Sequence, residues 1–463
     1  MPPGAAPPHP ETAAYGWTAI AGACLLGVGG AAATWTMGEL PADAAVAFGT
    51  FLATGTVWVT GAMPAYAAGL FACAVLAATL STGLLDEGRA PTVPWSTFPR
   101  LALSPAVAMT LAGMMLAQGA ARTGVDRMVA ARLLGPLLDR PAALLAMVLA
   151  IGAVLSMFMS NTATAVLLLA IVLPVVRPLG PGSRSARAVV LAAALGAAIG
   201  GLATPIGTTP NVIAYGLMRD AGHGIGFARW VGLGLPVTAI ALVAAMVLVR
   251  SLAGGFAGWS VPVVRAEVPS PGLAGWAWLA VFLGTVILWS TEPWSGIPIE
   301  HSALLPILAL PALGLLRTAE WRAVDWRTLL LLFTGLVLGT AMGATGVAEW
   351  LVAWSVPTNA PAVAVMGAFC AVSVVLSTFM SNTATANLLV PMALAMGDPE
   401  LAAPCALATA FGSSLAVGLP VSTPPILLAH ATGFVRPREL AMIGVVIGMV
   451  GTVAVTAAVA IGW

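Results

Sequence analysis

Residues 154–165 read VLSMFMSNTATA and residues 375–386 read VLSTFMSNTATA, so one polar dodecapeptide is written twice, 221 positions apart, with a single substitution. Each copy sets Ser, Asn and Thr inside a long apolar block, 141–176 and 361–396. A straight helix through such a block would run about 54 Å, well past the roughly 30 Å hydrocarbon core of a bilayer, so each block is predicted to fold back on itself. The fold-back places hydroxyls, an amide and freed backbone groups at a turn, and irregular backbone at membrane depth survives only where protein or a wet cavity surrounds it. A helix restarting there aims its first N–H groups at whatever occupies the cavity, and an anion is the natural occupant. Ser156 lies four residues before Ser160, and Ser377 four before Ser381, so each pair shares a helix face. Oxygens gathered in this way suit a hard cation such as Na+.

A single Ser-Asn-Thr triplet in a membrane helix is explained by hydrogen bonds to neighbouring helices, worth about 0.6 kcal/mol each. Two copies held to the same letters while their surroundings diverged need a stronger reason than packing. Shorter echoes accompany them. Thr123-Gly124-Val125 recurs as Thr345-Gly346-Val347, and GTTP at 207–210 is answered by STPP at 422–425. Pro210 and Pro424 stand where helices start, and the two segments, paired across the repeat, are expected to complete the two sites.

The elements that must carry these sites lie in a bilayer. Of 463 residues, 60% are hydrophobic and only 8% charged, against about 25% in a soluble domain. All eighteen basic residues are Arg, nearly balanced by seventeen acids, so neither a nucleic-acid footprint nor a polybasic lipid-binding arm is available. Cys24, Cys73, Cys370 and Cys405 sit in apolar stretches at no metal-ligand spacing and read as small core residues. His223, His301 and His430 are isolated, and neither HExxH nor GxSxG occurs, so an enzyme is disfavoured.

Apolar runs near 17–36, 42–61, 64–83, 101–121, 187–204, 229–249, 273–291, 299–316, 327–345, 401–418 and 439–462 predict eleven crossings besides the two hairpins. With the N-terminus cytoplasmic, fourteen of the eighteen Arg fall in inner loops, leaving Arg89, Arg100, Arg219 and Arg229 outside. Arg140 and Arg177 flank the first hairpin, whereas Asp398 and Glu400 follow the second. One hairpin therefore enters from inside and the other from outside. The chain divides into a Pro-rich tail and extra helix (1–41), a first repeat (42–252, hairpin 141–176), a connection (253–272) and a second repeat (273–463, hairpin 361–396). Residues 124–138, where Arg alternates with apolar residues at helical spacing, read as an interfacial helix. Five crossings per repeat invert the second copy, and inverted repeats with interrupted helices belong to secondary transporters. No Arg lies inside either hairpin. Stripping a dianion of water costs tens of kcal/mol, while hydrogen bonds to it return about 1.5 to 3 kcal/mol each. Neutral donors fall short, so the balance must come from co-bound cations or protons, or from exchange against another anion.

Paired SNT motifs in opposed hairpins, each followed by a TPP-like segment, resemble the divalent anion/sodium symporter family, whose members carry dicarboxylates, citrate or sulfate. The resemblance runs from about residue 42 to the end. It implies an all-α polytopic inverted-repeat transporter of elevator type, with eleven transmembrane helices and two re-entrant hairpins, forming a homodimer in lipid, here in a bacterial inner membrane. It further implies that Asn161, Thr162, Asn382 and Thr383, with Ser160 and Ser381 at the tips, hold the substrate carboxylates, and that Thr209 and Thr423 border them. One sodium site would be Ser156, Ser160, Asn161 and Gly207, and the other Ser377, the Met380 carbonyl, Asn382 and Ser422. The usual TPPN is altered twice, by Thr209 for the first Pro and Ile426 for the Asn. A C4-dicarboxylate such as succinate, moved by sodium symport, is the expected cargo. Sodium-independent exchange, sulfate transport and an arsenite or ion antiporter of similar architecture are the alternatives.

Overall fold

A computed structural model describes residues 16–82, 91–256, 259, 270, 272–355, 360–396 and 398–463. The Pro-rich tail, most of the 253–272 connection, Arg89 and Arg265 lie outside the described residues. What is described is all helical. After α1 (Trp17–Thr36) come α2 (Ala42–Thr60), α3 (Ala65–Leu80), α4 (Thr97–Ala102), α5 (Pro105–Thr123), α6 (Val125–Leu134), α7 (Pro141–Ser156), α8 (Asn161–Val176), α9 (Arg184–Gly200), α10 (Thr209–Asp220) and α11 (Phe227–Ala253). The second half continues with α12 (Gly272–Ser290), α13 (Glu292–Ser295), α14 (Ile299–Ala312), α15 (Thr318–Arg322), α16 (Trp326–Ala344), α17 (Val347–Ser355), α18 (Ala362–Phe379), α19 (Asn382–Leu394), α20 (Pro399–Ser414), α21 (Pro424–Ala431) and α22 (Pro437–Gly462). Apart from the single turn of α13, the second series reproduces α2 to α11 in order.

Among the described residues, ten helices are long and apolar enough to cross a membrane, the hairpin arms α8 and α18 included. The runs expected at 64–83, 299–316 and 401–418 form shorter helices, α3, α14 and α20. For α20 the reason is local. The helix ends at Ser414 and the chain unwinds before α21 begins at Pro424. Cys24, expected in the core, is exposed on α1, while Cys73, Cys370 and Cys405 are buried. The helix docks through Gly27, whose backbone packs on Gly49 of α2, and that contact turns Cys24 outward.

The Ser-Asn-Thr triplet breaks each hairpin by starting its second arm. Ser160 (φ −63°, ψ 140°) and Ser381 (φ −69°, ψ 142°) are extended N-caps. Their hydroxyls accept from the Ala163 and Ala384 amides at 3.2 and 3.1 Å, the preferred N-cap arrangement for Ser. Both hairpins lie along the helix that follows them: α7 and α8 on α9, and α18 and α19 on α20. Small residues permit this closeness. A Cβ on Gly196 would fall 2.5 Å from the Leu149 carbonyl, and one on Gly200 would fall 2.3 Å from that of Ala153. The helix α9 is consequently sheathed by protein along its whole apolar length.

Polar ties join the ends of distant helices. Arg187 on α9 pairs with Glu439 on α22 at 2.6 Å and donates Nε–H to the Phe434 carbonyl. Arg219 at the end of α10 pairs with Glu292 and Glu300, at 3.3 and 3.0 Å. Arg122 meets Glu320 at 2.8 Å. Each tie links residues that the eleven-crossing topology sets on one face.

Candidate functional site

Near the first hairpin tip, oxygens from α7, α8, α9 and the loop after α9 gather. The buried Ser156 hydroxyl donates to the Ala197 carbonyl at 2.6 Å and lies 2.7 Å from Oδ1 of Asn161. The Asn161 amide donates to the Ala198 carbonyl at 3.4 Å. Across the gap, the Gly207 carbonyl and Asn161 Oδ1 both stand over Gly201, where a Cβ would lie 2.6 and 2.7 Å from them. The hydroxyl of Thr204 closes the junction by donating to the Met157 carbonyl at 2.5 Å. From Arg184 to Ala197, α9 rises about 20 Å at 1.5 Å per residue, so the cluster lies deep within the helical bundle.

The second half repeats the core of this arrangement. The Ser377 hydroxyl lies 2.7 Å from Asn382 Oδ1 and donates to the Ser413 carbonyl at 2.8 Å. Ser413 is about 21 Å along α20 from Pro399. Ser422, expected from the resemblance as a partner of Asn382, donates its hydroxyl to Leu419 in its own loop at 2.6 Å. Met380 is buried at the end of α18, in extended conformation.

At the tips, Ser160, Thr162 and Ser381 are exposed, and Asn161, Asn382 and Thr383 half-buried. The first amides of a helix have no intrahelical acceptor, and each Ser cap serves only the third residue. The Asn161 and Thr162 amides, and those of Asn382 and Thr383, therefore face outward for an external acceptor. Thr208 and Thr423 start α10 and α21 in matching conformations, φ −146° and −143°. Thr209 is half-buried and Thr423 buried. The two halves exchange these helices: α10 packs on α19 and α20, and α21 on α8 and α9. Each duplicated loop thus borders the hairpin of the other half.

Other polar residues were passed over in the sequence. Thr164 and Thr385, equivalent across the repeat, are fully buried with hydroxyls that have no hydrogen-bond partner. Most helical Thr hydroxyls here bond the carbonyl one turn back, as at Thr54, Thr110, Thr238 and Thr409. Thr164 lies one turn beyond Asn161 on the same face. The signal was present in the final Thr of SNTAT. Asn211, also fully buried, donates to the carbonyls of Gly201, Leu202 and Thr204 at 3.2, 3.0 and 2.8 Å. A cavity of about 580 Å³ between α1, α2 and α3 is lined by Gly27, Trp35, Gly49 and Phe71 among other residues without charge. It offers an anion nothing and lies apart from the hairpins.

Similarity to known proteins follows the same outline. The family model described as "Citrate transporter" (CitMHS) matches residues 17–287 and 286–462. The sodium-dependent dicarboxylate transporter SdcS of Staphylococcus saprophyticus is 27% identical over 384 residues, covering 74% of each chain. The inorganic phosphate transporter PHO87 and low-affinity phosphate transporter PHO90 of Saccharomyces cerevisiae are each 26% identical, over 331 and 295 residues. The chain spans about a third of those two yeast proteins, 35% and 33% of their lengths. In fold, it is similar to the Alcanivorax borkumensis YdaH transporter, with a TM-score of 0.52 at 16% identity, covering 80% of this chain and 87% of that one. The chain belongs to the citrate transporter family, and its described residues have the all-helical fold of a polytopic membrane protein.

Proposed function

We propose that the protein is a secondary active transporter carrying a C4-dicarboxylate such as succinate in symport with Na+, by elevator movement within a homodimer. The observation that supports it is the pair of matched helix starts, Ser160-Asn161-Thr162 and Ser381-Asn382-Thr383, each offering free amides one to a half. Two separate anion-receiving ends suit a substrate with a carboxylate at each end, bordered by Thr209 and Thr423. The oxygens of Ser156, Asn161 and Gly207 suit the coupling cation, whose charge offsets the dianion's desolvation in a site with no cationic side chain. A neutral, modest grip also lets the cargo leave, as a carrier requires. In this reading the N-terminus is cytoplasmic, the membrane is the bacterial inner membrane, and the hairpin-bearing helices α7–α11 and α18–α22 move against the remainder.

The phosphate transporters among the relatives favour a second reading, in which one dianionic phosphate bridges both tips. Proteoliposomes decide. Labelled succinate should enter down an imposed Na+ gradient, and a hundredfold excess of phosphate should leave its uptake intact. Uptake without Na+ but with internal succinate identifies an exchanger; displacement by phosphate identifies the second reading. Uptake under none of these conditions removes the dicarboxylate proposal.

A further inference from the structure

The two hairpin clusters are built from the same dodecapeptide but end against unlike loops. In the first half, Gly201 and Gly207 approach so closely that a Cβ on either would fall within 2.6 Å of the other's carbonyl oxygen. That cradle sets the Gly207 carbonyl and Asn161 Oδ1 over the same glycine, Gly201, with Ser156 Oγ bonded to Asn161 and to the Ala197 carbonyl. Asn211 holds the loop in this shape through three carbonyls, and Thr204 ties it to the hairpin.

In the second half each of these features is replaced. Counting from the carbonyl that receives the hairpin serine to the threonine that starts the next helix, Ala197 to Thr208 takes eleven steps and Ser413 to Thr423 ten. The stretch corresponding to Gly201 is Leu415-Ala416-Val417, with a buried side chain at every position. Gly207 becomes Ser422, which adds a side chain where the first half has none and donates its hydroxyl to Leu419. Asn211 becomes the fully buried Ile426, and Thr204 becomes Leu419, so neither bracing bond can form. A small cation leaves water only where several oxygens converge at once, since an incompletely compensated charge is costly. The first cluster meets that demand with glycine at 201 and 207; the second has a side chain at every equivalent position and a loop one residue shorter.

We infer that the coupling cation is bound by the first-half cluster alone, and that the second-half cluster serves to cap and dock its hairpin. The inference rests on the sodium-coupled reading of the same site and reduces it to one cation at these clusters per protomer. Its test uses the purified full-length protein and NaCl, with choline chloride at constant ionic strength as reference, and reads thermal stability and tryptophan fluorescence. Stabilisation by Na+ should saturate with a Hill coefficient of about 1, as one site requires. It should be lost in Ser156→Ala and in Gly201→Ala, and its midpoint should move less than about twofold in Ser377→Ala. Restoring the first-half letters with Ala416→Gly and Ile426→Asn together should raise the coefficient above that of the parent. A coefficient near 2 in the parent, or equal loss in Ser156→Ala and Ser377→Ala, overturns the inference. Absence of any Na+ response also overturns it, and succinate counterflow in the same preparation then tells whether anion transport stands without it.

Discussion

Replacing Gly200 by Ala tests whether the hairpin site depends on the contact between α7 and α9. The new Cβ would lie 2.3 Å from both Cα and O of Ala153, backbone atoms that no side-chain rotation can move aside. Ordinary contact begins near 3.4 Å, so the two helices must part by about 1 Å. Overpacking of this kind costs roughly 1 to 3 kcal/mol. The Ser156 hydroxyl, 2.6 Å from the Ala197 carbonyl one turn away, would move to about 3.6 Å, where no hydrogen bond remains. Displacement of a reacting or binding group by about 1 Å costs on the order of a hundredfold in well-ordered sites; a more tolerant carrier should still lose at least about tenfold in uptake. Gly29→Ala on α1 is the matched control, because a Cβ there meets nothing within 4 Å. Initial uptake in proteoliposomes and the unfolding midpoint in detergent are measured for both. Gly200→Ala with the uptake and midpoint of the parent would refute the geometry from which the site is built.

Asn161→Ala and Asn382→Ala should each abolish uptake while the protein still elutes as a folded species on size exclusion; full activity in both would reduce the motif to helix packing. Thr164→Val keeps the side chain's shape and removes a buried hydroxyl without a partner, so stability should hold or rise, whereas uptake should fall if that hydroxyl serves the cargo; unchanged uptake assigns it no such role. Arg187→Met leaves Glu439 buried opposite an apolar group, side-chain exposures being 7% and 15%, and should cost about 3 kcal/mol. Arg122→Met breaks a more exposed pair and should cost clearly less; equal losses in chemical unfolding would contradict the burial assigned to the two pairs. Burial raises the Asp126 carboxyl above its ordinary range, against the opposing pull of the Arg127 amide and charge. A raised acid destabilises the fold at neutral pH and does so less as pH falls through its folded value. Asp126→Asn should therefore stabilise the protein at pH 7, with a gain that shrinks towards pH 4; a gain independent of pH would exclude titration as its cause.

The helices were legible wherever apolar length alone decided them, and the hairpins because their blocks were too long to be single spans. What the triplet does locally was also readable, since Ser before Asn-Thr is a helix-start signal, and both copies obey it with nearly the same dihedral angles. Hydropathy could not locate the end of α20. Leu415, Ala416 and Val417 continue the apolar run, yet the helix has already stopped at Ser414; only Gly418 and Pro420 mark the break. Nor could it reject Pro174, Pro236, Pro306 and Pro391, all of which lie inside helices. Neighbouring helices in a membrane protein satisfy the groups that such residues free. The exchange of α10 and α21 between halves has no local signature, because it joins segments some two hundred residues apart. Nor does the sequence show that the Ser422 hydroxyl has an acceptor three residues away, at Leu419.

The small residues of α9 account together for its burial and for the position of the site. RSARAVVLAAALGAAIG is rich in Ala and Gly, residues that add little hydrophobic area of their own but let backbones meet. Because α7 reaches van der Waals contact with it at Gly196 and Gly200, the Ala197 carbonyl between them lies within reach of a short Ser side chain rather than a long one. Larger residues along this face would separate hairpin from helix, and a longer donor such as Gln, Lys or Arg would be needed to bridge the gap. A Lys or Arg would supply a permanent charge, hold a dianion without a co-bound cation, and remove the energetic reason for coupling. Close packing is thus what allows the site to stay neutral, and on the sodium-symport proposal a neutral site is what makes anion binding depend on a cation.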